Sequence, residues 1–481
     1  MNVLLLSNGA PNYHYFFNSL AKKFHEDGSQ VVIAVDSHFS RVENGLDALG
    51  FDVHDFSAYF EGHQVDRGIL ERYGHVNLSA ALLSDFERAQ VYGVWGRKDD
   101  DYFERLKSAL LSYFEGIFEK YSIEIVLYEN VSNAFAHFAF FVAREKGAQY
   151  CGIGGSRLPG RFSVTADPLE DDEPERIFEG IRSGRIDVDA ETRNWCEQYL
   201  TNIESVVPDY MKINGLDNVS LIKKYVRVDR LKKIASVATH STGNSYYAFQ
   251  AGNPLRTYFN LFRRNVARKF KVSLLRNYYQ DPVEGEKFLL YPMHFHPESS
   301  TSILAGTYLD EYEVIRNIAF NLPQGLKLYV KDHVSAWGYP SLDFYAKLKR
   351  LPNVRVLRPN APTKELIKKS EAVITLTSTV GYEALLLGKK VFLYGSVFYG
   401  FHKDVIRITD PSKLFELLRR GLADGSAVDK SYNLDFIAAY FMSTKPSSLN
   451  LMMKDAAAEE MAKKVYPVLQ MERHRLGLQA K

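Results

Sequence analysis

Short apolar runs, each closing on a polar residue and followed by a stretch of helical spacing, recur along this chain in two separate blocks. "NVLLLSNG" is one such run and stops at Asn8-Gly9. "YHYFFNSLAKKFHEDG" follows with a period near 3.6 and ends at Gly28, and "QVVIAVD" is the next run, closing on Asp36. A continuous apolar run suits a strand covered on both faces, so the pattern predicts parallel strands joined by crossover helices. Residues 100–121 read as a long helix, "IEIVLYEN" as a strand ending at Glu129, "NAFAHFAFFVAREKG" as a helix and "QYCGIGG" as a further strand. Residues 1–165 are therefore expected to form one Rossmann-like domain.

From Thr165 the texture changes. Residues 166–284 open on the acidic loop "ADPLEDDEPER" and read as a mostly helical insertion or linker without strong strands. Near its end, "NPLRTYFNLFRRNVARKFKVSLLRNYY" has apolar residues at 255, 258, 259, 262, 266, 270 and 274. It carries Arg256, Arg263, Arg264, Arg268, Lys269, Lys271 and Arg276 with no acid. The pattern predicts a basic amphipathic helix over 255–276, either lying on anionic lipid or packing its apolar stripe between domains. Strand and helix patterns resume over 285–410 as a second Rossmann-like block, and 411–481 reads as a helical tail. The fold class expected is α/β and GT-B-like, with two Rossmann-like domains facing across a cleft, a helical insertion and a helical C-terminal tail. A single open α/β sheet with insertions is the alternative.

Composition narrows the class. Lys and Arg total 60 against 58 Asp and Glu, so the chain as a whole carries no field suited to nucleic acid. Two cysteines, Cys151 and Cys196, make neither a disulfide framework nor a cysteine-rich zinc site. The start has no basic n-region, and no stretch approaches the ~18 apolar residues of a membrane span. The expected location is cytoplasmic, peripheral at most on the inner face of a membrane.

Ligands of open parallel sheets bind beyond the carboxyl ends of the strands, and the polar residues of the second block gather there. His294, His296, Glu298, Ser299 and Ser300 follow "KFLLYPM"; Lys331, Asp332 and His333 follow "LKLYV"; Ser378 and Thr379 follow "AVITL" and open a helix carrying Glu383. That helix N-terminus suits a phosphate, with Lys331 and the histidines as further donors. The plainer reading of Ser378-Thr379 is an N-cap. His-x-His with His333 also suggests zinc, yet no further cluster with metal-ligand spacing accompanies it, so the expectation is no metal and no cofactor beyond the substrate itself. In the first block, Asn8, Gly9, Glu129, Ser156 and Arg157 follow strands and are expected on the acceptor side. The absence of G-x-G-x-x-G after the first strand argues against a nicotinamide cofactor.

"LYVKDHVSAWGYPSLDFYAKLKRLPNVRVLRPN" followed by "ELIKKSEAVITLTSTVGYEALLLGKKVFLYGSVFY" resembles the C-terminal half of the capsule polysaccharide biosynthesis proteins of the Kps/Lip type. That family includes retaining Kdo transferases with a GT-B-like fold and a CMP-activated donor. The resemblance implies that Lys331, His333, Ser378, Thr379 and Glu383 grip the donor nucleotide. It also implies that Glu298, beside His296, is the candidate nucleophile or base. The chain departs from the pattern in having Glu298 for Asp, Val334 for Pro and Ser378 for Gly. The activity implied is transfer from CMP-Kdo or another CMP-nonulosonic acid to a surface-glycan or glycolipid acceptor. The alternatives are a nucleotide-sugar epimerase of GT-B fold and a non-catalytic component of capsule assembly or export.

Overall fold

The computed structural model describes residues 1–96, 98–206, 247–423 and 428–479. The described chain divides into two compact units. The first comprises Met1–Pro168, Asp209–Leu261 and Thr444–Lys481, and the second Leu169–Pro208 and Phe262–Ser443.

The first unit is built on a seven-stranded sheet. Its strands are β1 (Asn2–Ser7), β2 (Gln30–Val35), β3 (Asp52–Asp55), β4 (Ile125–Glu129), β5 (Gln149–Gly155), β6 (Arg161–Thr165) and, from the C-terminal segment, β13 (Lys445–Pro446). The order is β13-β6-β5-β4-β1-β2-β3, with β6 and β13 antiparallel and the rest parallel. The continuous apolar runs behave as expected: Val3 to Leu6 and Val31 to Val35 are buried throughout because helices cover the sheet.

The second unit has a six-stranded parallel sheet of β7 (Phe288–Pro292), β8 (Lys327–Lys331), β9 (Val354–Leu357), β10 (Ala372–Thr375), β11 (Lys390–Leu393) and β12 (Val405–Arg407). Its order is β12-β11-β10-β7-β8-β9. Both sheets reverse direction of growth at the centre, between β1 and β4 in one and between β7 and β10 in the other. Such a switch point opens a crevice at the strands' carboxyl ends, where the connections leave in opposite directions.

Two expectations need correction. The region 166–284 is not one insertion: its described parts divide between the units at Pro168 and at Leu261–Phe262. Its stretch 207–246 lies outside the described residues. Nor is 411–481 one helical tail. Residues up to Ser443 pack in the second unit, while the rest completes the first, where Lys445–Pro446 adds an antiparallel strand to β6. The helix Asp455–Gln479 then lies along the helix Tyr13–Glu26, with the Tyr466 hydroxyl donating to Asp27 at 2.6 Å. The basic helix is present as Pro254–Leu275.

Candidate functional site

In the second unit the residues expected to act together gather at the β7/β10 crevice. Chain leaving β7 carries His294 into the interior, where its backbone N–H donates to Glu311 Oε1 at 2.7 Å and its Nδ1 lies 3.1 Å from the same oxygen. On the other ring edge, Nε2 faces the Thr375 hydroxyl at 3.3 Å and the Thr377 N–H at 3.4 Å. A backbone N–H only donates, so these partners assign the proton to Nδ1 and the lone pair to Nε2. The Tyr291 hydroxyl adds a third bond to Glu311 at 3.2 Å, and His296 Nε2 approaches its other oxygen at 3.9 Å. Burial alone would raise the Glu311 carboxyl. The hydrogen bond from His294, the nearby imidazoles of His294 and His296 and the backbone N–H outweigh it and hold the group below its ordinary value.

On the neighbouring strand Lys331 is buried, its Nζ donating to the Pro359 carbonyl at 2.9 Å. Burial lowers its pKa to about 8 against the opposing pull of Asp332 and Glu383. His333 is pushed down to about 4, mainly by burial and then by His294 and Lys331, so it is neutral at physiological pH. Its Nδ1 accepts from the Ser335 N–H at 3.1 Å, which leaves Nε2 as the donor. Asp332 is fully buried and accepts from the hydroxyls of Tyr279 (2.5 Å) and Tyr345 (2.8 Å) and from the His333 N–H (2.7 Å). It is a fixed anchor for the turn that carries His333. Glu383 has its pKa raised by burial, with Lys364 and Lys331 opposing.

Ser378 caps the helix Thr379–Leu386: its hydroxyl accepts from the Val380 N–H at 3.2 Å, the plainer of the two roles expected for it. The Thr377 hydroxyl is buried and, among the described residues, without a hydrogen-bond partner. Ser299 and Ser300 are half-buried on the one-turn helix Ser299–Ser302, while Glu298, just before it, is exposed. No group of three His, Cys, Asp or Glu suited to a metal ion occurs among the described residues.

In the first unit the β1/β4 crevice is lined by Asn8 and Glu129. The Asn8 amide donates to the Tyr128 hydroxyl at 2.5 Å, and its oxygen accepts from the Ala10 N–H, turning the chain sharply after β1 at Gly9. Glu129 is half-buried and takes the Ser132 hydroxyl at 2.6 Å; burial raises it to about 7, opposed by Ser132, Arg88, Tyr13 and Tyr128. Ser156 is buried, its hydroxyl accepting from the Leu158 N–H, and the half-buried Arg157 follows it in the β5–β6 connection. These two follow β5, one strand out from the β4 edge of the β1/β4 crevice.

Three functional candidates escaped the sequence reading. Glu311 sits in the first turn of the helix Glu311–Phe320, where an acid reads as a complement to the helix dipole. Thr377 adjoins two residues that were singled out, but no spacing rule separates it from them. Asp36, at the end of β2, is completely buried and raised to about 7 by burial, against hydrogen bonds from Ser40, Ser37 and Gly9.

The basic helix also sorts its cations. Arg264 and Arg268 lie over the Tyr339 ring at 4.3 and 4.4 Å, Arg268 Nε donates to the Trp337 carbonyl, and Lys271 Nζ donates to the carbonyls of Tyr339 and Pro340. The opposite face leaves Phe262 at 50%, Phe270 at 71% and Leu274 at 47% exposed, beside the exposed Arg263, Lys269 and Arg276. No helix among the described residues is long and apolar enough to cross a membrane.

Two α/β units, each with polar residues at a switch-point crevice, define a Rossmann-type two-unit protein. Residues 200–410, which include the β7/β10 site, match the model of the family described as capsule polysaccharide biosynthesis protein. A curated relative, Protein FixF of Sinorhizobium fredii, is 32% identical over 133 residues; the match covers 27% of this chain and 31% of that protein. The chain thus spans about a third of that relative's length. Among solved structures it is similar to KpsC, a beta Kdo 2,4 transferase of Thermosulfurimonas dismutans, at 15% identity, covering 66% of this chain and 79% of that one with a TM-score of 0.35. It is also similar to the UDP-GlcNAc 2-epimerase of Methanocaldococcus jannaschii at 10% identity, covering 98% of this chain and 100% of that one with a TM-score of 0.26.

The His294–Glu311 pair makes a stability prediction. Replacing His294 with Phe leaves a buried carboxylate short of a donor and should cost about 1–3 kcal/mol in urea unfolding. Adding Glu311→Gln to that variant should recover part of the loss, because neighbours that share one hydrogen bond are not additive. Full additivity of the two substitutions would contradict the pairing.

Proposed function

We propose that this protein is a glycosyltransferase of capsule-type polysaccharide assembly that draws its sugar from a nucleotide-activated donor bound at the β7/β10 crevice. The observation that carries this reading is the convergence of a buried Thr377 hydroxyl without a partner among the described residues, the N-terminus of the helix Thr379–Leu386, and Lys331 and His333 from the strand β8. An open hydroxyl, the positive end of a helix dipole, an ammonium and a neutral imidazole donor are what a departing nucleotide phosphate requires. The donor proposed is CMP-Kdo or another CMP-nonulosonic acid, and the acceptor is a surface glycan or glycolipid. Because the phosphate charge is met by these groups, the proposal includes metal independence.

Proton removal from the acceptor hydroxyl is assigned to Glu129, which is half-buried, held by Ser132 and raised to about 7. Glu298 remains the donor-side carboxylate, an exposed group just before a one-turn helix and within reach of the anomeric carbon in this reading. The exposed apolar stripe of the basic helix, flanked by Arg263, Lys269 and Arg276, supports contact with an anionic membrane surface that holds a glycolipid acceptor.

Three measurements test these statements. In a thermal-shift panel of CMP, CDP, UDP and GDP with EDTA present, CMP should raise Tm most; a preference for UDP would remove the CMP-sugar donor, and no shift with any of the four would remove the donor site. As a base, Glu129 is active only when deprotonated, so kcat/KM should climb with unit slope up to pH about 7. Glu129→Gln should abolish that climb and lower kcat by about 10²- to 10⁴-fold; an unchanged pH profile in the variant would refute the role. Finally, the protein should co-sediment with vesicles containing phosphatidylglycerol and not with pure phosphatidylcholine, and Phe262→Ser with Phe270→Ser should release it. Equal recovery with both vesicle types would count against the membrane face.

A further inference from the structure

The first unit holds a second concavity, a cavity of about 1190 Å³ lined by none of the candidate site residues. Its walls come from helices that follow β3 and from the chain Tyr247–Arg256, which is fastened in place by several bonds. Trp95 Nε1 donates to the Phe249 carbonyl at 3.3 Å, Gln250 donates to the buried Asp85 at 2.9 Å, and the Asn260 amide donates to the Tyr92 carbonyl at 3.0 Å. Gly252 has φ of 61°, and a Cβ there would stand 2.6 Å from Val94 Cγ1, so this wall closes against its neighbour as tightly as a backbone allows. The cavity is therefore built into the fold.

The lining sets aromatic rings among polar and cationic groups. The Arg105 guanidinium lies 4.3 Å over the Phe60 ring and the Lys98 ammonium 4.4 Å over the Tyr102 ring, and Arg256 joins them at the wall. Against these three cations the lining contributes one carboxylate, Glu61. Ser57, Gln90 and Asn253 supply neutral donors and acceptors between the rings. A lipid tail needs a uniformly apolar wall, which this is not. A small apolar metabolite would leave the cations desolvated and unpaired. Cations held over rings at the wall, amides that match hydroxyls, and an excess of positive charge suit a saccharide that carries carboxylates.

We propose that this cavity binds a stretch of anionic, carboxylate-bearing oligosaccharide, its carboxylates on Arg105, Lys98 and Arg256 and its hydroxyls on Ser57, Gln90 and Asn253, with Trp95 in the wall beside it. In the glycosyltransferase reading this stretch is part of the acceptor; the binding itself does not depend on that reading. Bidentate pairing of arginine with carboxylate gives the site its charge selectivity, and the same pairing makes the affinity fall with salt.

The test titrates the full chain with tetrameric α-2,8-linked sialic acid and follows calorimetry together with tryptophan fluorescence. Maltotetraose, a uridine tetranucleotide and dodecyl phosphate serve as comparators. The acidic tetrasaccharide should bind at least tenfold tighter than each comparator, and its affinity should drop at least fivefold between 50 and 300 mM NaCl. Arg105→Gln and Arg256→Gln should each weaken it at least fivefold, while Trp95→Phe should remove the fluorescence change. The Tm rise given by CMP, read on the same preparations, should be unchanged in these variants. That control shows that each variant is folded and keeps this result separate from the donor-site result. Tighter binding of the tetranucleotide or of dodecyl phosphate, equal binding of maltotetraose, undiminished affinity in both arginine variants, or no binding of the tetrasaccharide would each overturn the proposal.

Discussion

One imidazole joins the two strands between which the second sheet reverses. His294, leaving β7, reaches Thr375 and Thr377 at the end of β10 through Nε2 and the buried Glu311 through Nδ1. A switch-point crevice is where neighbouring connections diverge, so the backbone there has no ladder to hold it. This side chain takes that place. The Ser378 N–H in turn bonds the Thr375 hydroxyl at 3.1 Å, so the start of the helix Thr379–Leu386 is set by the same group of bonds. The position of the helix N-terminus, and of the open Thr377 hydroxyl before it, therefore follows from a histidine on the opposite strand.

The cationic character of this crevice is conditional. Lys331 at about 8 and His333 at about 4 are both held down chiefly by burial. An anion brought beside them favours their charged forms and would raise both values. Before ligand arrives, Lys331 supplies the ammonium, resting on the Pro359 carbonyl, while His333 is neutral. Asp332 is excluded from this chemistry despite its place in the sequence, since two tyrosine hydroxyls and a backbone N–H already satisfy it.

Strand ends were the legible part of the sequence. Continuous apolar runs located β1, β2, β4, β5, β7, β8 and β10, and with them the polar residues at their carboxyl ends. The short helices Phe56–Gly62, Arg67–Arg72, Leu78–Leu83 and Phe86–Tyr92 went unread because six or seven residues cannot display a 3.6-residue period. The cavity that three of them, all but Arg67–Arg72, help to wall was hidden for the same reason. β6 shows no strand signal because "GGSRLPGRF" is turn chemistry for half its length, and β13, two residues long, carries no pattern. The glycines of β5 have a tertiary cause: a Cβ at Gly152 would lie 2.8 Å from Asn130 Oδ1, and one at Gly154 3.0 Å from its Nδ2. Glu311 was unreadable because what makes it important is the histidine 17 residues earlier, a distance no local period encodes.

Three carboxylates of the first unit have raised pKa values, and their surroundings decide which one has chemistry available to it. Asp85 is fully buried, but Arg88 Nη1 at 2.5 Å, the Ala134 N–H and the Gln250 amide occupy both its oxygens. It holds the Tyr247–Arg256 wall to the helix Phe86–Tyr92. Asp36 is as deeply buried, beneath Ser37 and Ser40, with no surface on which a substrate hydroxyl could approach. Glu129 shares the raised value but sits half-buried at the end of β4, beside the strand where the sheet reverses, bonded by the hydroxyls of Ser132, Tyr13 and Tyr128. A proton acceptor needs both a value near the working pH and a path for the donor. Of the three, Glu129 alone meets both conditions, which is why the acceptor-side chemistry is assigned to it.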